Sequence, residues 1–174
     1  MADARMPDEF FELALPLLPP EPEPGPQGGR PPISHYHVLR VIWFVLVTGC
    51  RWKDVPRELG CCGETARTRL QAWEQAGIWD QLHQRMLIML RQADELHLET
   101  AIIDSTQVRA FGGGDATGPS PVDRRKTGTK FTLLVDREGV PLVLRAAGAN
   151  RSDHLEILPT VASFPTVPGK VGRP

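Results

Sequence analysis

The period of the apolar positions changes near residue 99. Before it, apolar residues recur at helical spacing; after it, they come in short β-branched runs broken by turn formers. A short apolar segment at 8–15 reads as a helix, and PLLPPEPEPGPQGGRPP at 16–32 is too rich in proline and glycine for a helix interior or a central strand. Ser34 is placed to cap a helix running to Thr48 and stopped by Gly49, with Val38, Ile42 and Val45 on one face and Leu39 and Leu46 beside them. RWKDVPREL at 51–59 reads as a short helix interrupted by Pro56 and ended by Gly60. Gly63 opens the next helix, through about Gln75, and stacks Ala66, Leu70 and Trp73 inward. A further helix is predicted from Asp80 to about Leu96, with Leu82, Met86, Met89 and Leu90 on its apolar face.

Beyond residue 99, Thr100–Asp104, Lys130–Val135 and Pro141–Ala146 read as strands, the last two joined by a hairpin turn at Asp136–Gly139. Residues 111–129 form a glycine-rich, basic loop. Ser152 and Asp153 start a helix that carries Leu155, Leu158 and Val161. The expected fold class is α+β: a short N-terminal helix (1–15), a linker (16–32), a helical domain (33–98) and a region of three strands and one helix (99–174).

Composition narrows the class. With 41% hydrophobic and 24% charged residues, the chain is neither disordered nor membrane-spanning in type, and its greasiest stretch, VLRVIWFVLV, contains Arg40 and is too short to span a bilayer. The acidic start MADARMPDEF lacks a signal-peptide pattern, which predicts a cytoplasmic protein. Three cysteines, two of them adjacent (Cys61 and Cys62), give neither a disulfide framework nor zinc-pair spacing. The net charge of −1 conceals an asymmetry: residues 1–24 hold six acids and one base, so the remainder is net +4. Local basic clusters decide phosphate binding more than the chain sum does.

Two constellations carry candidate chemistry. The paired short segments around Gly60 match helix-turn-helix architecture. With Ala66, Leu70 and Trp73 inward, Glu64, Arg67, Thr68 and Gln71 project outward, flanked by Arg69, while Arg51, Lys53 and Arg57 are placed to hold phosphates. An ordinary helical hairpin with a solvated basic face is the alternative. The second constellation is AIIDSTQVRA at 101–110, where an apolar run meets Asp104. A turn cap, a phosphoryl acceptor and a metal-binding carboxylate all remain open from these residues alone.

The order of GGRPPISHYHVLRVIWFVLVTGCRWKDVPRELG, LQAWEQAGIW, AIIDSTQVRA, GTKFTLLVDREGVPL and AANRSDHLEIL resembles the DDE transposases of bacterial insertion sequences, in particular the IS-five group. The resemblance implies a helix-turn-helix DNA-binding part followed by a ribonuclease-H-like catalytic domain. It implies that Asp104 is the first catalytic acid, sharing magnesium with two further acids. It also implies that Lys130, in the GTK segment, contacts DNA; Thr132 stands where a family form has histidine, so no role of that histidine is carried over. The implied partners are double-stranded DNA at the element ends and the full-length or C-terminal transposase product.

The two further acids, one on a DRGYD-like segment, are expected beyond Pro174, so this truncated chain is expected to be inactive alone. A frameshift product, a decayed remnant and a non-catalytic DNA-binding regulator are the corresponding alternatives. An unrelated helical protein with a small sheet is a further one.

Overall fold

The helix α2 (His35–Thr48) forms although six of its fourteen residues are β-branched, because Val38, Leu39, Val41, Ile42 and Val45 are all buried. Burial of that face outweighs weak helix propensity. Leu46, expected beside this face, points to solvent. Gly49 closes the helix in the left-handed conformation (φ +67°), its N–H donating to the Val45 carbonyl at 2.9 Å. Ser34 precedes the helix but makes no capping bond; its Oγ lies 2.8 Å from His37 Nδ1. The first-turn donor is met from further away, since the His35 N–H donates to Glu21 Oε1 at 2.7 Å, which sets a carboxylate at the positive end of the helix.

The structure is a computed structural model that describes residues 5–21 and 32–168; most of the predicted linker, 22–31, lies outside the described residues. The chain divides into two units between His83 and Gln84.

In the first unit, α1 (Asp8–Ala14) sets Phe10 against Trp43 and Phe11 against Tyr36, with ring centroids 5.0 and 5.1 Å apart. The predicted helix over 51–59 is two single 3-10 turns, Trp52–Asp54 and Arg57–Leu59. Pro56 explains the break: it lacks an N–H and holds Val55 extended. The helix α3 (Gly63–Gln75) follows, burying Ala66 and Trp73. It can start where it does because residue 63 is glycine: a Cβ there would stand 1.8 Å from the Trp52 carbonyl oxygen. His35 is fully buried beneath this layer, 5.4 Å from the Trp73 ring, and its Nε2–H donates to the Pro19 carbonyl at 2.7 Å. The helix α4 (Ile78–Gln92) begins two residues before the predicted Asp80 and ends before Leu96. Asp94, at φ +64°, turns the chain, and the Glu95 N–H bonds back to the Leu90 carbonyl at 2.9 Å.

The second unit is built on an antiparallel sheet. Strand β1 (Ala101–Arg109) pairs with β3 (Thr127–Asp136) from Ala101↔Asp136 to Arg109↔Gly128, and β3 pairs with β4 (Pro141–Gly148). A two-residue strand, β2 (Gly118–Pro119), joins the start of β3, so the described residues hold four strands rather than the expected three. The architecture is α+β, with five α-helices among the described residues. Strand β1 runs five residues past its predicted end, because Ser105–Arg109 find partners in β3 that a local reading cannot see.

Alternate residues of β3, from Gly128 through Lys130, Thr132 and Leu134 to Asp136, are buried, and α5 (Asp153–Ala162) packs on the sheet. The inner side of α5 is polar. Glu156 and Thr160 are buried, whereas Leu155, Leu158 and Val161 are exposed, Leu158 by 77%. Asp136, at the β3–β4 turn, is fully buried. Its carboxylate accepts from the backbone N–H groups of Glu138, Val140 and His97 at 2.9, 2.8 and 2.9 Å.

Candidate functional site

Two sites follow, one in each unit. In the first, α3 turns Glu64, Thr68 and Gln71 to solvent with Arg67 half-buried beside them, the reverse of its Ala66–Trp73 side. Arg67 does not project freely: its Nη2 and Nε donate to Glu64 Oε1 and Oε2 at 2.7 and 3.1 Å. The guanidinium holds the Glu64 carboxyl below its usual range. Thr68 Oγ1 donates to the Glu64 carbonyl at 3.0 Å, which leaves its lone pairs outward. Arg51 pairs with Asp54 at 3.2 Å. Arg69 stands on another flank, lining a hollow of about 370 Å³ with Leu17, Ala72 and Gln81.

Lys53 and Arg57 are exposed and line a groove of about 760 Å³ at the start of α3, together with Trp52, Cys62, Glu64 and Thr65. Thr65 was not singled out by the sequence, and Cys62 only as one of an adjacent pair without zinc spacing. The signal was their position: Cys62 precedes the first helical residue, and its Sγ lies 3.1 Å from Thr65 Oγ1. The Thr65 hydroxyl, then the Thr65 amide, make this thiol more acidic than usual, whereas burial pushes neighbouring Cys61 the other way.

In the second unit, Asp104 sits in the middle of β1, opposite Leu133, not at a strand end. It is exposed, and Oδ1 accepts the Ser105 N–H at 2.7 Å. Ser105 alternates to the α5-covered side, where its Oγ donates to Asp153 Oδ1 at 2.7 Å. The same Asp153 oxygen accepts Lys130 Nζ at 2.6 Å, and Lys130 also donates to the Arg151 carbonyl. Lys130 therefore occupies the central strand, 3% exposed, with its charge turned inward. Beside it, buried Glu156 accepts Arg151 Nε at 3.0 Å and lies 3.8 Å from Arg145 Nε.

Among the described residues no three His, Cys, Asp or Glu side chains are grouped to hold a metal ion. Asp104 fits the part of one ligand. It is an acceptor-only carboxylate on a regular strand, exposed, forming no ion pair among the described residues. The structure thus brings Asp104, Ser105, Asp153 and Lys130 into one hydrogen-bonded chain. The α3 face and the Lys53–Arg57 groove form a separate set.

Residues 6–83 match the family described as "Putative transposase of IS4/5 family". The chain is 44% identical over 123 residues, 70% of its own length and 84% of the relative's, to the "Insertion element IS402 uncharacterized 16.2 kDa protein" of Burkholderia cepacia. It is 37% identical over 73 residues, 42% of its length, to the "Putative transposase for insertion sequence element IS402" of the same organism, spanning 33% of that relative. No solved structure matches the chain. The chain is an insertion-sequence protein of the transposase class, and it belongs to the IS4/5 transposase family. No helix among the described residues is long and apolar enough to cross a membrane.

Proposed function

We propose that the chain binds the double-stranded ends of its insertion element through α3, in the manner of a helix-turn-helix, and supplies Asp104 to a ribonuclease-H-like site for DNA strand cleavage and transfer. The observation that carries the reading is the pairing of family membership with an exposed carboxylate fixed in mid-strand. On the helical unit, Gln71 and Thr68 are the groups that read base edges, and Lys53 and Arg57 hold backbone phosphates. Arg67 reads guanine only after exchanging Glu64 for the base, so that pair acts as a filter on sequence.

At the second site, Asp104 is one of the carboxylates that hold magnesium, with one oxygen oriented by the Ser105 N–H. Magnesium, when bound, stabilises charge at the attacked phosphate and activates water or a 3′-hydroxyl. Lys130 is assigned here to supporting that strand rather than to touching DNA, because its ammonium is enclosed by Asp153 and the Arg151 carbonyl. A transposase product carrying further carboxylates is the expected partner.

Excision of the intact element in cells tests this. Asp104→Asn should lower excision by roughly a thousandfold, in line with loss of a metal-holding group, while Asp115→Asn in the exposed loop leaves it unchanged. Excision that persists with Asp104→Asn overturns the assignment. A second reading is a non-catalytic regulator that occupies the ends. It predicts that extra copies of this chain repress excision regardless of residue 104.

A further inference from the structure

The loop between β1 and β3 carries chemistry that neither site uses. Residues 109–126 hold four bases (Arg109, Arg124, Arg125, Lys126) and two acids (Asp115, Asp123), a local +2 in a chain of net −1. The loop is not slack. Ser120, almost fully buried, donates from Oγ to Gln107 Oε1 at 2.8 Å and accepts the Asp123 N–H at 3.2 Å. Its N–H bonds to the Lys126 carbonyl at 2.9 Å, and its carbonyl accepts the Arg125 N–H at 3.0 Å. Asp123 is held by both Nε and Nη2 of Arg109, so it is already spoken for.

Around this anchor the chain makes an unusual turn. Arg124 and Arg125 are consecutive non-glycine residues in the left-handed region, at φ +48° and +61°. The result is an exposed knuckle of three cations, Arg124, Arg125 and Lys126, of which Lys126 also acts on the Asp123 carboxylate that Arg109 holds. Beside it, the Ala110 N–H donates to the Thr127 carbonyl at 3.0 Å just past the end of the β1–β3 ladder, and Phe111 follows in a turn closed by the Gly113 N–H on the Ala110 carbonyl at 3.2 Å. Phe111 is 93% exposed and Val122, in the same loop, 79%. An exposed ring costs water-ordering with no packing in return, whereas a ring in the same loop as exposed cations suits a nucleic acid, whose bases stack and whose phosphates carry charge.

We propose that this knuckle and Phe111 form a second DNA-contact surface, distinct from α3: Arg124, Arg125 and Lys126 hold backbone phosphates and Phe111 stacks on a base. The inference rests on the DNA-binding reading above and deepens it. Asp104 and Arg109 stand five strand positions apart, about 17 Å at the rise of a β-strand. That is the length of roughly five base pairs of duplex, with Gln107 and Arg109, which hold the loop, alternating to the face opposite Asp104. The cations fix the path of the backbone, and the ring favours a strand whose bases are unstacked, as they are near a cut end.

Anisotropy titrations of a labelled element-end duplex over a series of salt concentrations test it. The variants are Phe111→Ala, Gln71→Ala, and Arg124→Gly/Arg125→Gly/Lys126→Ala, glycine being chosen because it accepts the left-handed backbone. The triple variant should lower the slope of log K against log salt by about 2–3, and restoring Lys at 124 and 125 should recover most of it. Phe111→Ala should weaken binding about tenfold with the slope unchanged, and Gln71→Ala should reduce only the preference for the element end. Wild-type binding with an unaltered slope in the triple variant overturns this proposal alone. A wild-type chain that shows no salt-dependent binding overturns it together with the DNA-binding reading, and tight capture of an acidic peptide in place of DNA does the same.

Discussion

Ser105 Oγ donates to Asp153 Oδ1 at 2.7 Å, tying the middle of β1 to the first residue of α5. Lys130 bonds the same oxygen from beneath, and Asp104 holds the Ser105 N–H from the other side. The candidate acid is thereby connected to a buried lysine through half-buried Ser105, by its backbone N–H and its hydroxyl, and exposed Asp153. Lys130 first, and Ser105 second, hold the Asp153 carboxyl below its ordinary range. Lys130→Met should bring the Asp153 titration back up towards the ordinary carboxylate value, and Ser105→Ala should do so less. Carboxyl-carbon NMR titrations read this directly; an unmoved Asp153 in Lys130→Met contradicts the relay.

Asp136 supports the same unit from the other end of β3. Burial alone would raise its carboxyl, but the N–H groups of His97, Val140 and Glu138 outweigh that, and it lies below the ordinary value. A carboxyl depressed in the folded state contributes stability that is present above the unfolded pKa and lost as pH falls through the folded one. Acid unfolding of the sheet unit should therefore run below the ordinary carboxylate range, where this group protonates. Asp136→Ala strands three donors and should cost at least about 2 kcal/mol, flattening the acid transition. Denaturant melts at neutral and acid pH check both statements; equal losses at the two pH values contradict them.

The helical unit was largely legible in the sequence, because its elements are local. The α2 stop at Gly49, the start of α3 at Gly63 and the inward side of α3 follow from period and punctuation. What local pattern could not show was any pairing at long range. The extension of β1 to Arg109 depends on the partners Gly128–Thr132 of β3, and Ser34 lost its capping role to Glu21, thirteen residues earlier. Lys130 read as a surface cation because a lysine in a strand carries no sign of its buried partner, Asp153. The helix α5 misleads most: its leucines face solvent and its Glu156 and Thr160 face the sheet, because Arg145 and Arg151 already occupy that side. Asp104 was singled out by motif order, not by any local physical signal.

Gly63 sets the approach of the Trp52–Asp54 turn to α3. A methyl group there meets the Trp52 carbonyl, which is backbone and cannot rotate away. Gly63→Ala should destabilise the helical unit by about 3 kcal/mol. Gly49→Ala, where the only cost is a left-handed backbone in open space, should cost about 1 kcal/mol. Thermal melts of the two variants give the comparison, and equal midpoints contradict the close approach.

The proposed function requires that α3 be the element that reads DNA. Its most direct test is competition binding of the purified chain to its element-end duplex against a scrambled duplex of equal length, with Thr68→Ala/Gln71→Ala alongside wild type. The account predicts salt-sensitive wild-type binding with a clear preference for the element end, and a double variant that binds both duplexes about equally, each lost base contact costing about 1–3 kcal/mol of discrimination. A wild-type chain that does not distinguish the two duplexes, or a double variant that keeps the full preference, would contradict it.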